Sequence, residues 1–121
     1  MHEVRAILVA EDNELIRLVM CEVLIDRGFR PVSAATTEEA LTLIDAKPDL
    51  CAAFLDIDLP EPGGGYRVAR RLHQVSPHVK IIYTSGGARS DFEAQRVEDA
   101  VFVPKPYRPD TVCDLIAQRM S

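Results

Sequence analysis

The sequence predicts an α/β domain with a doubly wound parallel sheet of five strands and helices on both of its faces. Short apolar runs alternate along the chain with segments of helical periodicity, and this alternation is typical of strand–helix units. The connections between the segments are short. The six residues at 50–55 are small or apolar without alternation and run into Asp56, which indicates a strand that is buried on both faces. These three observations together predict the fold class.

Strands are predicted where apolar residues run continuously between turn signals. The five predicted strands are 6–10, 29–35, 50–56, 80–85 and 101–103. The second contains Pro31, which lacks a backbone N–H and therefore suits the edge of a sheet. The third runs directly into Asp56, and open parallel sheets bind ligands at this carboxyl edge.

Helices are predicted between the strands. The five predicted helices are 14–27, 36–46, 66–75, 91–99 and 109–120. The first has apolar residues at three- and four-residue spacing and stops at Gly28. The second begins with a capping box in which Glu39 follows Thr36 by three residues. Pro109 suits the first turn of the last helix, whereas the fourth helix is polar and weakly patterned.

Composition excludes several classes of protein. The chain has 19 acidic and 14 basic residues, and its net charge of -5 disfavours binding to nucleic acid. Three cysteines, Cys21, Cys51 and Cys113, lie far apart without CxxC spacing, which indicates a reducing compartment and no cysteine metal site. No signal peptide and no run of transmembrane length occur. We therefore expect a cytoplasmic protein with no membrane or nucleic-acid partner.

Reactive side chains stand at the ends of four predicted strands. They are Glu11 and Asp12 after the first strand, Asp56 at the end of the third, Thr84 and Ser85 at the end of the fourth, and Lys105 after the fifth. Each alone has a structural explanation as a helix cap, a turn residue or a surface charge. Because the ends of parallel strands share one edge, we expect three carboxylates, a hydroxyl and an ammonium to converge.

This set of groups suits phosphoryl transfer. Carboxylates without histidine or cysteine favour a hard cation such as Mg²⁺, which also offsets their mutual repulsion. A carboxylate can attack phosphorus and form an aspartyl phosphate. The transfer then needs positioning and charge neutralisation, which a metal ion, an ammonium and a hydroxyl can provide.

Four short motifs occur in order along the chain. They are Ile-Leu-Val-Ala-Glu-Asp-Asn at 7–13, Leu-Asp-Ile-Asp-Leu-Pro at 55–60 followed by Gly64, Ile-Ile-Tyr-Thr-Ser-Gly at 81–86, and Val-Pro-Lys-Pro-Tyr at 103–107. In identity and spacing they resemble the response-regulator receiver domain of two-component signalling, over essentially the whole chain. The resemblance implies a flavodoxin-like sheet of strand order 2-1-3-4-5, in which the acid pair lies beside Asp56.

The resemblance also implies a role for each acid. Asp56 corresponds to the phosphoacceptor and to a ligand of the Mg²⁺ cofactor. Asp12 corresponds to a direct Mg²⁺ ligand, and Glu11 to an acid that acts through water. The main-chain carbonyl of Asp58 corresponds to the third protein ligand, and its acidic side chain adds negative charge near the incoming phosphoryl group.

Three further positions carry implied roles in catalysis and switching. Lys105 corresponds to the family's lysine, and the Lys105–Pro106 peptide is expected to be cis. Ser85 corresponds to the switch hydroxyl, because the step from Ser85 to the following glycine matches the family better than Thr84 does; Thr84 is the alternative. Phe102 corresponds to the aromatic residue whose rotamer follows phosphorylation.

The function implied by the resemblance is that of a switch rather than a conventional enzyme. Asp56 would accept a phosphoryl group from a histidine kinase or a histidine phosphotransferase, lose it slowly, and alter the binding of an unknown downstream protein. If the chain is complete at 1–121, we expect a single stand-alone receiver domain without an output domain.

Two other functions are open to the same residues. The sequence Asp56-Ile57-Asp58 also resembles the nucleophile motif of haloacid-dehalogenase-type phosphatases, in which the second Asp is a general acid–base. That reading needs a later acidic pair, whereas here the metal acids come first and strand four ends without one. A docking module that works without phosphorylation is disfavoured, because neither the acids nor the lysine are missing.

The first predicted helix carries an extra apolar stripe. Its sheet-facing residues are expected to be Ile16, Val19, Met20, Val23 and Leu24. Leu15, Leu18 and Ile25 then form a second stripe, interrupted by Glu22. Neighbouring helices could cover it, or it could be scattered surface area. The hypothesis is that Leu15 and Leu18 are exposed and belong to a partner interface beside the acidic pocket, for the helices of a kinase or for a second copy of the chain.

Overall fold

A computed structural model describes residues 5–46, 49–87 and 91–120 of the chain. The strands are β1 (Ala6–Ala10), β2 (Arg30–Ala34), β3 (Leu50–Asp56), β4 (Lys80–Ser85) and β5 (Val101–Pro104). The helices are α1 (Glu14–Asp26), α2 (Thr37–Asp45), α3 (Gly64–Val75), α4 (Phe92–Gln95) and α5 (Pro109–Arg119). All strand pairs are parallel and the order is β2-β1-β3-β4-β5, which confirms the predicted fold class.

The sheet is covered on both faces, because successive side chains of its central strands point to opposite sides. The core on the side of α1 and α5 includes Ile7, Val9, Met20, Phe54, Ile82 and Ile116. The core on the side of α2 and α3 includes Leu8, Ile44, Leu55, Leu72 and Tyr83. β1 and β3 are almost fully buried, which agrees with their unbroken apolar sequences.

Most predicted boundaries are correct to within two residues, and the local signals work as expected. β2 lies at the edge of the sheet, as its Pro31 predicts. In the capping box, the Thr36 Oγ1 accepts a hydrogen bond from the Glu39 N–H at 3.1 Å, and the Glu39 carboxylate accepts one from the Ala35 N–H at 3.1 Å. α3 begins two residues before its predicted start, at Gly64.

The prediction for the inner face of α1 is wrong at one residue. Met20 and Leu24 are fully buried, and Ile16 and Val23 are partly buried, but Val19 is 39% exposed. Successive residues of a helix are about 100° apart, so Val19 lies at the margin of the stripe centred on Met20 and Leu24. At its far end α1 is tied to α5 through Arg27, which forms ion pairs with Asp110 and Asp114.

The prediction for the fourth helix is wrong in length, since 91–99 contains only the single turn of α4. Arg96 turns into an extended conformation, and the buried Val97 N–H donates to the Tyr83 hydroxyl at 3.2 Å instead of to the preceding helical carbonyl. Asp99 has a φ of 65°, which a helix cannot contain. The helical stretch therefore ends because Val97 is drawn into the core beside β4.

Candidate functional site

The ends of β1, β3 and β5 meet at a buried ammonium–carboxylate cluster. The Lys105 Nζ lies 2.8 Å from the Glu11 Oε1 and 3.0 Å from the Asp56 Oδ2. The Glu11 and Asp56 residues are only 2% and 5% exposed, respectively. Asp12 is exposed, yet one of its carboxylate oxygens lies within 4.8 Å of oxygens of Glu11 and Asp56. The structure thus brings together the three predicted acids and the predicted lysine.

Burial and ion pairing change the pKa values of this cluster in opposite ways. Burial raises the pKa of Glu11 and the Asp56 charge adds to the rise, while Lys105 and the Asn13 N–H offset part of it. Burial lowers the pKa of Lys105, but its contacts with Glu11 and Asp56 outweigh burial and leave the pKa above its ordinary value. Lys105 is therefore held as an ammonium ion, and the carboxylates gain from any further cation.

The turn after β1 holds Glu11 in place. The Glu11 Oε2 accepts a hydrogen bond from the Asn13 N–H at 2.9 Å, and its main-chain carbonyl accepts one from Arg17 at 2.9 Å. Asn13 in turn caps α1, because its Oδ1 accepts from the Ile16 N–H at 3.0 Å. The Glu11 carboxylate therefore faces the pocket with little freedom, while Asp12 stands at the solvent side.

The turn after β3 is fixed by the start of α3. A Cβ on Gly65 would lie 2.3 Å from the Asp56 carbonyl oxygen, so only glycine allows this approach. The Gly65 N–H donates to the Ile57 carbonyl at 2.7 Å. The Asp58 N–H donates to the Asp56 Oδ1 at 3.1 Å, and the Asp58 Oδ1 accepts from the Gly63 N–H at 3.0 Å. Gly65 received no role from the sequence, although the Gly63-Gly64-Gly65 run was a visible signal.

The two hydroxyls at the end of β4 have different surroundings. Both Thr84 and Ser85 are buried. The Ser85 carbonyl accepts from the Lys105 N–H at 3.0 Å, and the Ser85 Oγ accepts a long hydrogen bond from the Gly87 N–H at 3.4 Å. Thr84 pairs with Asp56 in the sheet register. The Lys105–Pro106 peptide is cis, as expected.

Phe102 lies at the end of a row of aromatic rings rather than in the pocket itself. Its ring centroid is 5.4 Å from that of Phe92, which is 5.6 Å from Tyr83, which is 5.2 Å from Tyr66. The row links β5, α4, β4 and α3. The sequence predicted a role for Phe102 but not its neighbours, because the contacts join positions far apart in the chain.

The extra apolar stripe of α1 faces solvent. Leu15 is 70% exposed and Leu18 is 51% exposed, in agreement with the exposure that the sequence predicts. Beside them, a groove of about 560 Å³ runs between α1 and the segment after β5, and its walls include Ile16 and Tyr107, with Lys105 also among its lining residues. The apolar surface is thus continuous with the pocket.

The chain matches the family model for the response regulator receiver domain over residues 7–117. The chain belongs to the response-regulator receiver family. A receiver is a signalling domain of two-component systems, and its acidic residues bind Mg²⁺. The cluster of Glu11, Asp12 and Asp56 has the oxygen donors that this ion prefers.

Several proteins resemble this receiver in sequence. It is 30% identical over 106 residues to the sensor kinase CckA of Brucella abortus, covering 84% of this chain and 11% of that protein. It is 28% identical to the sensor protein TorS of Escherichia coli, covering 95% of this chain and 13% of TorS. A putative NtrX-like response regulator of Rickettsia bellii is 29% identical, with coverage of 91% and 23%. The chain thus spans less than a quarter of these relatives.

Solved structures agree with the fold. A response regulator receiver protein from Sinorhizobium medicae has a TM-score of 0.91 at 24% identity, covering 98% of this chain and 95% of that one. The receiver domain of the hybrid histidine kinase CckA has a TM-score of 0.80 at 22% identity, with coverage of 96% and 99%. No helix in the described part of the chain has the length and apolar character needed to cross a bilayer.

Proposed function

We propose that this receiver accepts a phosphoryl group on Asp56, with Mg²⁺ as cofactor, and thereby changes its binding to partner proteins. The observation that carries the proposal is the Lys105 ammonium placed between Glu11 and Asp56 beside the exposed carboxylate of Asp12. This arrangement combines a nucleophile with groups that can neutralise charge on phosphate oxygens.

The chemistry follows from the positions of the groups. The Asp56 carboxylate attacks the phosphorus of a phosphohistidine, the P–N bond breaks, and its electron pair remains on the imidazole. The Lys105 ammonium can then move from the carboxylates to a phosphoryl oxygen. Asp12, Asp56, the Asp58 main-chain carbonyl and, through water, Glu11 would hold Mg²⁺, which supplies charge neutralisation between the carboxylate and the phosphoryl group.

Ser85 and Phe102 would pass the structural effect of phosphorylation from Asp56 to α4. The phosphoryl group carries about -1.5 to -2 charges in place of the single charge of the free carboxylate, and it gives the Ser85 hydroxyl a new acceptor. Among the described residues, the Ser85 Oγ has one long hydrogen bond, from the Gly87 N–H, and breaking it costs little free energy. Phe102 would then turn within the aromatic row and shift α4 between two arrangements.

The proposed place of action is the cytoplasm, and the proposed behaviour is that of a switch with slow self-dephosphorylation. The three cysteines Cys21, Cys51 and Cys113 are free thiols, which suits a reducing compartment. Nothing specific favours a haloacid-dehalogenase-type phosphatase, since the Asp58 carboxylate is engaged with the Gly63 N–H of its own loop.

Labelling with acetyl phosphate and Mg²⁺ tests the phosphoacceptor. The wild type should gain one labile phosphoryl group by intact mass, and Asp56→Asn should gain none. Asp12→Asn should also lose most labelling, because it weakens metal binding while the nucleophile remains. Asp49→Asn, at the opposite end of β3 and exposed, is the matched control and should label normally. Full labelling of Asp56→Asn would contradict the assignment, and a docking module that works without phosphorylation would show no label at all.

The exposed stripe of α1 is proposed as part of the docking surface for the phosphodonor. A histidine-bearing helix of a kinase or phosphotransferase could lie against Leu15 and Leu18 and place its imidazole at the pocket, because the apolar groove leads to Lys105. An apolar patch beside a reactive pocket is a typical place for such a contact.

Charge substitution separates docking from chemistry. In the double variant Leu15→Lys/Leu18→Lys, transfer from a histidine phosphotransferase that labels the wild type should fall about tenfold or more, as for truncated interface anchors. Acetyl phosphate labelling should stay nearly unchanged. Val75→Lys, at an exposed apolar position at the end of α3 and outside the stripe, is the control. A parallel fall in both reactions would mean that the leucines are structural, and no fall in either would mean that the stripe is not an interface.

A further inference from the structure

Thr84 lies beside the proposed phosphoacceptor. The register of β3 and β4 pairs it with Asp56, and directly paired residues of neighbouring strands carry their side chains on the same face of the sheet. Two residues earlier, the equivalent pair of Phe54 and Ile82 packs in the core beneath α1 and α5. Thr84 and Asp56 continue this face up to the carboxyl edge.

The Thr84 hydroxyl is buried without a partner. Thr84 is 1% exposed, and its Oγ1 makes no hydrogen bond within the part of the chain that the structure describes. The residue paired with it on β5 is Val103, whose side chain has no polar atom. An unpaired buried hydroxyl lowers stability, whereas a valine of the same shape would fill this apolar face without that cost. A threonine here therefore points to a state in which the hydroxyl is used.

Asp56 is the acceptor that the sheet register offers. Each of its carboxylate oxygens already receives one hydrogen bond, from the Asp58 N–H and from Lys105, and each can accept a second. A rotation about χ1 of Thr84 redirects the hydroxyl without moving the strand. Ser85 points to the other face by strand alternation, so the two hydroxyls are not equivalent.

We propose that the Thr84 hydroxyl donates a hydrogen bond to the Asp56 carboxylate as the phosphoryl group leaves, and so shortens the lifetime of the phosphorylated state. The inference rests on the proposed function. In hydrolysis a water oxygen bonds to phosphorus and the P–O bond to Asp56 breaks. The bonding electron pair stays on the carboxylate, and the water protons go to phosphate or to solvent. Because negative charge grows on the Asp56 oxygen, a donor there stabilises the transition state more than the acyl phosphate.

The same hydrogen bond has an opposite effect on the forward reaction. The hydroxyl makes no hydrogen bond to a described residue in the unphosphorylated structure, so this bond needs the χ1 rotation; when it forms, it stabilises the free Asp56 carboxylate and makes it a weaker nucleophile. Removing the Thr84 hydroxyl should therefore leave labelling by acetyl phosphate equal or faster, while it slows the loss of the label. A general loss of pocket integrity would instead slow labelling.

Decay of the label tests the inference. Wild type, Thr84→Val, Thr84→Ala and Thr84→Ser are labelled with acetyl phosphate and Mg²⁺ and desalted into buffer with Mg²⁺. The remaining label is then followed by intact mass. Thr84→Val and Thr84→Ala should lose the label about fivefold more slowly, which corresponds to about 1 kcal/mol in the barrier. Thr84→Ser retains the hydroxyl and should decay at the wild-type rate.

Unfolding measurements distinguish this role from a structural one. Thr84→Val should match or exceed the wild type in stability, because it removes an unpaired buried hydroxyl. Unchanged or faster decay in both Thr84→Val and Thr84→Ala would overturn the inference, whatever the stability. Slow decay in Thr84→Ser as well would also overturn it, because the effect would then follow any change of packing at this position rather than the loss of the hydroxyl. If the wild type takes no label, the proposed function itself fails and this inference fails with it.

Discussion

The pocket at the ends of β1 and β3 and the single-turn helix α4 are held in different ways. Glu11 and Asp56 stand at the ends of buried central strands, and main-chain N–H groups of the following turns bind their carboxylates. α4 has only four residues and lies outside the sheet. The hydrogen bonds of the sheet hold the residues at strand ends in position, whereas α4 depends on side-chain contacts that can change. The chemical groups are therefore fixed, and the segment that would respond to them is adjustable.

The contacts that hold α4 come from three neighbouring elements, β4, β5 and α3. Phe92 packs between Tyr83 and Phe102, and the Tyr83 hydroxyl accepts from the Val97 N–H just after the turn. Arg70 of α3 donates to Gln95 at the end of the turn. An isolated helix of this length is unstable in water, so these contacts supply its stability. A change at Phe102 would reach α4 directly through the ring of Phe92.

Hydrogen exchange should show the largest difference between the central strands and α4. Amides of the central strands, such as those of Val9 and Leu55, should exchange at least about 100-fold more slowly than those of Gln95 and Arg96, because a single turn opens locally while the strands need global unfolding. Residue-resolved exchange measures both. Adding beryllofluoride, a mimic of the phosphoryl group, should alter exchange most over residues 85 to 107.

Two results would contradict this picture. Equal protection of α4 and the central strands would show that the turn is as firmly held as the sheet. A response to beryllofluoride confined to residues 29 to 50 would refute the coupling between the pocket and α4. Asp56→Asn with beryllofluoride is the control, because the mimic needs the carboxylate.

The two regions also differ in how far the sequence predicts them. Asp56 and Lys105 could be predicted as neighbours because each ends a strand, and strand ends share an edge in any parallel sheet. The length of α4 could not, because it depends on the Tyr83 hydroxyl, which takes the Val97 N–H from 14 residues away. Gly65 shows the same limit. A glycine is needed there because the Asp56 carbonyl oxygen leaves no room for a Cβ, and not because a local turn requires it.

Replacing Phe92 by alanine tests whether packing holds α4. Phe92 is partly buried, so Phe92→Ala should lower the free energy of unfolding by about 2 kcal/mol, less than for a fully buried ring. Urea denaturation measures the change. Glu93→Ala, on the exposed side of the same turn, should change stability by no more than about 0.5 kcal/mol. Phe92→Ala should also lose the change in hydrogen exchange that beryllofluoride causes at residues 92 to 97. A cost as small as that of the control would show that the ring does not hold the turn.

Tyr83→Phe should have a smaller effect than Phe92→Ala and reports on one hydrogen bond. The ring and its contacts with Tyr66 and Phe92 stay in place, but the buried Val97 N–H loses its acceptor, at a cost of about 1 kcal/mol. The exchange rate of the Val97 amide should rise about fivefold, because the free energy of local opening falls by about 1 kcal/mol. Urea denaturation and exchange at this one amide measure both effects.

Tyr66→Phe is the matched control for Tyr83→Phe, because it removes a hydroxyl from the same aromatic row. The Tyr66 hydroxyl binds the half-buried Asp91 carboxylate at 3.2 Å, and that carboxylate can turn to water when the hydroxyl is gone. The cost should therefore be smaller than for Tyr83→Phe, at about 0.5 kcal/mol. If the two variants cost the same and the Val97 amide stays protected, the end of α4 is set by its own sequence. The contrast with the pocket would then rest on Phe92 alone.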